Sequence, residues 1–144
     1  MEGKIYCAFS GTGKTIADSH GLVVDIERYF YKNDISWDKV ADVAVLFAML
    51  GRNVAFGSDI FVREALKSKN IKYTVIYPHI DDKDVYRQRY LDRPYDNVIE
   101  HAEIKCGGWY EFMAQSLDSE EIVILPKGGY LADYLRDAEN IIPY

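Results

Sequence analysis

Short runs of β-branched and aromatic residues alternate along the chain with longer stretches in which apolar residues recur every three or four positions. Lys4–Ser10 (KIYCAFS) reads as a first strand, and Thr15–Gly21 as a short helix closed by glycine. Leu22–Ile26 is nearly all apolar, as suits a strand buried on both faces. Ser36 stands as the N-cap of a helix whose apolar residues fall at 37, 40, 43, 44, 47 and 50, and Gly51 stops it. Asn53–Ser58 is a third strand. Asp59–Asn70 follows as a helix, with its acid at the start and Lys67 and Lys69 near the end, where the helix dipole favours them. Lys72–Pro78 is a fourth strand, and Asp81–Arg93 a charged helix stopped at Pro94. Asp96 to about Leu117 reads as mostly helical, bent at Gly107-Gly108. Glu121–Leu125 is a fifth strand and Tyr130–Ile141 a closing helix.

Strand–helix alternation with Val/Ile-rich strands predicts an α/β fold, with a five-stranded, mainly parallel sheet flanked by helices and right-handed crossovers. Ligands of such folds sit at the carboxyl ends of the strands. At 144 residues, with no internal repeat and no Pro/Gly/Ser linker, the expectation is one domain spanning 1–144. The longest apolar run, Val43 to Leu50, has eight residues, whereas a bilayer span needs about 20. It is a core segment, and no membrane role is expected. The start of the chain shows no basic region followed by a long apolar one, so a cytoplasmic location is expected. Cys7 and Cys106 lie far apart without metal-ligand spacing, and are read as reduced thiols.

The charge balance narrows the partners. Seventeen Lys+Arg against 23 Asp+Glu leave a formal net charge of −6. A general nucleic-acid coat needs clustered cations, so nucleic acid is disfavoured as a partner. A local basic groove around Arg87, Arg89 and Arg93 is the one place for it.

The specific chemical signal is Ala8-Phe9-Ser10-Gly11-Thr12-Gly13-Lys14-Thr15. It matches the phosphate-loop pattern G-x-x-x-x-G-K-[ST] except that Ala8 replaces the first glycine. Gly11 and Gly13 permit backbone conformations in which successive N–H groups turn inward around a phosphate. The helix that follows aims its positive end at the same anion. Ser10, Gly11, Thr12 and Gly13 are thus the candidate cradle, Lys14 the cation for the β- and γ-phosphates, and Thr15 the Mg²⁺ ligand. The ligands expected are ATP and Mg²⁺.

The chain resembles the small P-loop kinases of metabolites and nucleoside monophosphates, such as adenylate, shikimate and gluconate kinases. It is more similar still to compact phage- and Firmicute-type P-loop proteins of adenylate-kinase-like character. The residues carrying this are Ala8–Thr15, Val23-Val24-Asp25, Val62-Arg63-Glu64-Ala65-Leu66, Tyr73–Pro78 and Tyr86–Tyr90. The resemblance covers most of the chain, and only the phosphate loop is specific by itself. It implies a three-layer P-loop NTPase fold and an ATP-dependent phosphotransferase acting on a small acceptor, a nucleotide or nucleoside first.

The resemblance also implies roles for single residues. Asp25 matches the first acid of a D-x-D pair that assists Mg²⁺ and binds the acceptor, and Glu27 replaces the second. Asp59, after the third strand, is a candidate metal or acceptor group as well as a helix-initiating acid. Arg89 and Arg93 fall in the segment at about 80–95 that forms a lid in small kinases, where arginines neutralise the transferring phosphoryl group. Arg63 is a candidate for an acceptor phosphate, which its fork would bind with two bonds. Lys127, in the Pro126–Tyr130 turn, is a candidate neighbour of the base. The bland alternatives are a solvated face for the arginines, a surface ion pair for Arg63 and a plain turn at 126–130. Tyr29, Phe30, Tyr31, Trp37, Trp109 and Tyr110 are read as core or interface before base-stacking groups, and His20, His79 and His101 as structural or surface residues. Two rival functions remain: an acceptor-independent NTPase, and a non-catalytic nucleotide-binding regulator. A polynucleotide 5′-kinase is a less favoured subtype.

Overall fold

The structure, a computed structural model, describes residues 2–30, 36–94 and 96–140. Five strands form one sheet: β1 (Ile5–Ala8), β2 (Val24–Asp25), β3 (Val54–Gly57), β4 (Thr74–Tyr77) and β5 (Glu121–Ile124). Their order is β2-β3-β1-β4-β5 and every pairing is parallel. The sheet is therefore wholly parallel, with β1 at its centre.

Alternation along β1 divides the core. Ile5 and Cys7 face α3 (Trp37–Met49) and α4 (Ile60–Ser68), joining Val40, Ala44, Phe56, Val62 and Leu66. Tyr6 and Ala8 face the opposite layer, α1 (Lys14–Ser19) and α8 (Leu131–Asn140), through Ala17, Leu131 and Leu135. Small residues at 41, 44 and 48 let α3 lie close to the sheet. Over β4, the first layer continues with α5 (Lys83–Leu91), α6 (Val98–Gly107) and α7 (Trp109–Ala114). There Phe9, Val75, Tyr77, Tyr86, Tyr90, Cys106 and Trp109 form a third cluster.

Local signals explain most boundaries. Ser36 caps α3 by accepting from Lys39 N–H, and Gly51 takes a φ of +86° just beyond its end. The bend expected at Gly107-Gly108 separates α6 from α7. Two elements differ from expectation. The second strand has only two paired residues, because the chain turns at Asp25 straight into a short helix, α2 (Ile26–Phe30), that periodicity over five residues does not reveal. A 3₁₀ turn, Ile80–Asp82, precedes α5. β5 is an edge strand with Ile122 and Ile124 partly exposed. Both cysteines are buried free thiols. Among the described residues no helix is long and apolar enough to cross a membrane.

Candidate functional site

The chain leaves the central strand at Ala8 and turns through Phe9–Gly13 into α1. Gly11 and Gly13 adopt φ of +92° and +93°, a left-handed backbone that glycine takes without strain. Three consecutive carbonyls in this turn are held from outside. Ser10 O accepts from Tyr90 OH at 2.6 Å, Gly11 O from Arg89 Nη1 at 2.9 Å, and Thr12 O from Leu131 N at 2.8 Å. A trans peptide sets each carbonyl antiparallel to the following N–H. The N–H groups of Gly11 and Gly13 therefore face the other way, toward the inside of the loop, while that of Thr12 turns back onto Phe9 O. Thr12 N–H and Oγ1 both donate to Phe9 O, at 3.2 and 2.8 Å, closing the turn. The first-turn N–H groups of α1 add to the donors at this end.

Lys14 curls into the same place, its Nζ donating to Ala8 O at 3.1 Å. Burial pushes its ammonium below the usual lysine range; the charges of Glu27 and Asp25 pull it back up, and those of Arg93 and Lys105 push it further down. Thr15 Oγ1 donates to Asp25 Oδ2 at 3.3 Å. Asp25 is 5% exposed and its Oδ1 is buried without a hydrogen bond. Burial raises its carboxyl above the usual range, against the charge of Lys14 and the bond from Thr15. Glu27 is fixed by Gly57 N–H, 3.0 Å from Oε1, and a Cβ at Gly57 would stand 3.2 Å from that oxygen. Phosphate loop, Lys14, Thr15, Asp25 and Glu27 thus converge at the carboxyl ends of β1, β2 and β3.

Among the described residues no group of three or more His, Cys, Asp or Glu is placed to hold a metal ion. Mg²⁺ does not require one, because it keeps several waters and takes one or two protein oxygens beside phosphate. The Thr15 hydroxyl and the orphaned Asp25 Oδ1 are a fitting pair of hard donors.

The remaining sequence candidates lie elsewhere. Asp59 is exposed and its carboxylate caps α4, accepting from Phe61 N–H at 2.8 Å. Arg63 is not the surface residue of the bland alternative but is fully buried, with its guanidinium engaged inside the protein. Its Nη1 donates to Tyr77 OH at 2.6 Å, its Nη2 to Gln115 O at 3.2 Å, and its Nε lies 3.3 Å from Glu120 Oε2. Glu120 also accepts from Tyr73 OH at 2.6 Å. The fork is spent inside the protein, joining α4 to β4 and to the approach of β5. Lys127 is exposed, 3.5 Å from Asp81.

The expected lid segment is packed onto the loop. Tyr86 and Tyr90 on α5 are fully buried, and a Cβ at Gly11 would stand 2.9 Å from each ring. Lifting α5 would expose both rings at about 3 kcal/mol each. Arg89 turns its Nη1 and Nη2 to backbone carbonyls, with its Nε buried and without a hydrogen bond, so it does not reach toward a transferring phosphoryl group in this structure. Arg93 lies with its guanidinium over the Tyr90 ring at 5.1 Å and Nη1 3.4 Å from His101 Nε2. Lys105 and His101, one turn apart on α6, neighbour Arg93, and the charges of Arg93 and Lys105 act on both Lys14 and His101. Burial, then Arg93 and Lys105, hold His101 below its usual range.

Reading the sequence missed His101 and Lys105, whose i, i+4 spacing was the available signal, and Asp82. Asp82 is buried and accepts from Gly128 N–H at 2.8 Å, although its sequence run looks solvated. Of the aromatic candidates, Trp109 is core, while Trp37 and Tyr110 are exposed; the Tyr29 and Phe30 side chains and Tyr31 lie outside the described residues.

No protein-family model and no curated protein matches the chain. Among solved structures it is similar to the 1.7 Å crystal structure of shikimate kinase from Bacteroides thetaiotaomicron, with 13% identity and a TM-score of 0.49 over 96% of this chain and 94% of that one. The α/β fold rests on the strand order and the loop geometry themselves, not on that likeness.

Proposed function

We propose that the protein is a P-loop phosphotransferase that moves the γ-phosphoryl group of ATP to a small acceptor hydroxyl, with a nucleotide or nucleoside as the first acceptor class to test. One observation carries the reading. The carbonyls of residues 10–12 are held outward, so the Gly11 and Gly13 N–H groups turn to the inside of a loop where Lys14 also lies, close enough to Asp25 and Glu27 to feel their charges.

Phosphoryl transfer is mostly positioning and charge neutralisation. The loop N–H groups and Lys14 bind the β- and γ-phosphates. Thr15 and Asp25 would hold Mg²⁺, which when bound draws charge from the phosphate oxygens. Glu27, anchored by Gly57, orients the acceptor. The acceptor oxygen bonds to the γ-phosphorus as the bridging oxygen to the β-phosphate leaves, and the hydroxyl proton passes to Glu27. Arg93 and Lys105 add positive charge that reaches Lys14.

A second reading, nucleotide binding or hydrolysis without an acceptor, is favoured by the engagement of Arg89 and Arg63 inside the protein. Coupled ADP release, screened over nucleoside monophosphates, nucleosides and nucleic-acid 5′-ends, separates the two. The proposal expects acceptor-dependent release that disappears in Lys14→Ala. Release independent of every acceptor makes the protein an NTPase, and ATP binding without turnover makes it a regulator. Equal ATP affinity in wild type and Lys14→Ala would remove the phosphate-loop reading altogether.

A further inference from the structure

Arg89 has the most elaborate surroundings of any cation at the site. Its Nη1 donates to Gly11 O at 2.9 Å, and its Nη2 to Gly128 O at 3.1 Å and Gly129 O at 3.3 Å. The guanidinium lies between two rings, 3.8 Å from the centroid of Tyr130 and 4.5 Å from that of Tyr86. Both rings also touch the loop. A Cβ at Gly13 would stand 3.1 Å from Tyr130, and one at Gly11 would meet Tyr86. The 126–130 turn is tied down independently by Asp82, which accepts from Gly128 N–H, and by the bond from Leu131 N to Thr12 O.

We propose that Arg89 is a positioning residue. It fixes the Gly11–Thr12 peptide, whose N–H closes the turn onto Phe9 O, so that the flanking Gly11 and Gly13 N–H groups stay presented to a polyphosphate, and it locks the phosphate loop to the 126–130 turn as one unit. The proposal rests on the reading of the loop as a polyphosphate site. Gly11, at φ +92°, is one of the loop's two left-handed glycines, and its following peptide is tied at the N–H end by Phe9 O at 3.2 Å and at the carbonyl end from α5. Arg89 holds that carbonyl. A planar fork with diverging donors bonds carbonyls from two segments while its faces stack on two rings; an ammonium offers neither the plane nor the spread. Because Nη1 and Nη2 are engaged by the backbone and the remaining Nε is buried without a partner, the residue acts on bound phosphate through the loop rather than by touching it.

The test uses full-length Arg89→Lys, with Arg89→Gln as a second variant should either fold poorly, and compares each with wild type. Two readouts are taken. In the absence of nucleotide, the amide resonances of Gly11, Thr12 and Gly13 should shift together with those of Gly128 and Gly129, since one bond network serves both segments. Affinities for ATP, ADP and pyrophosphate should then fall by a common factor, about 10- to 100-fold for loss of charge-assisted bonds, with kcat at saturating ATP changed far less than KM. A purely structural role would lower the unfolding midpoint without this common loss in the folded protein. Two results overturn the proposal: unshifted amides in both segments, or a loss confined to ATP with ADP and pyrophosphate unaffected, which would make Arg89 a ligand of the terminal phosphoryl group. Should wild type bind none of the three probes, the phosphate-site reading fails, and the amide shifts alone decide whether Arg89 couples the two segments.

Discussion

Gly11→Ala is the sharpest perturbation of the loop, and Gly21→Ala is its control. At Gly11 two penalties coincide. A left-handed φ of +92° costs a residue with a side chain about 1–2 kcal/mol. The new Cβ would also stand 2.9 Å from ring carbons of both Tyr86 and Tyr90. Those rings are fully buried and cannot swing away, so the crowding adds about 1–3 kcal/mol, as overpacking of a filled core does. Restriction of the unfolded chain returns roughly 0.4–1 kcal/mol. The net is about 1–5 kcal/mol, centred on about 3, a factor of roughly 150 in an equilibrium constant at the centre. Gly21 shares the positive φ, at +71°, but a Cβ there meets nothing within 4 Å. Its change should cost about 1 kcal/mol or less by the same terms. Urea unfolding and calorimetric titration with ATP, run on both variants, divide the Gly11 penalty between lost stability and lost affinity. If the loop keeps its shape the first absorbs it, and if the loop yields the second does. Gly11→Ala matching Gly21→Ala in both measurements would refute the packing of α5 on the phosphate loop.

Asp25 titrates above the usual aspartate range in the folded protein because burial disfavours its charge. The folded state then binds a proton more tightly than the unfolded one, so this carboxylate lowers stability as pH rises from the ordinary aspartate value through the raised one. Asp25→Asn should therefore unfold at higher urea than wild type near neutral pH, with the difference vanishing in acid, and should lose Mg²⁺-dependent turnover; a pH-independent difference would contradict this. Arg63→Ala leaves the Glu120 carboxylate, 1% exposed, without its cation and should cost about 3–5 kcal/mol in denaturant unfolding. Acceptor KM in the folded variant should stay unchanged; a raised KM with intact stability would restore Arg63 as a ligand. Lys105→Ala removes one of the charges that hold His101 down, so the imidazole pKa measured by NMR should rise, and an unmoved His101 would separate Lys105 from the basic group at the site.

The elements and the phosphate loop were legible in the sequence because both are written locally. Apolar spacing marks α3 and α4, Ser36 and Gly51 bound a helix within a few residues of themselves, and Gly11 and Gly13 announce the left-handed turn they adopt. Asp25 and Glu27 were singled out by resemblance to a D-x-D pair at the end of the second strand, and strand ends gather at one edge of a parallel sheet. The two-residue β2 running into α2 was beyond reach, since five residues carry too little periodicity. The arginines show a different limit. In sequence Arg63 and Arg89 are equivalent cations on charged helices, yet one is sealed in a core network with Glu120, 57 positions away by numbering, and the other binds Gly11 O across 78. What a guanidinium does depends on which carbonyls, carboxylates and rings the folded chain brings within about 3 Å of it, and that is decided by tertiary packing alone.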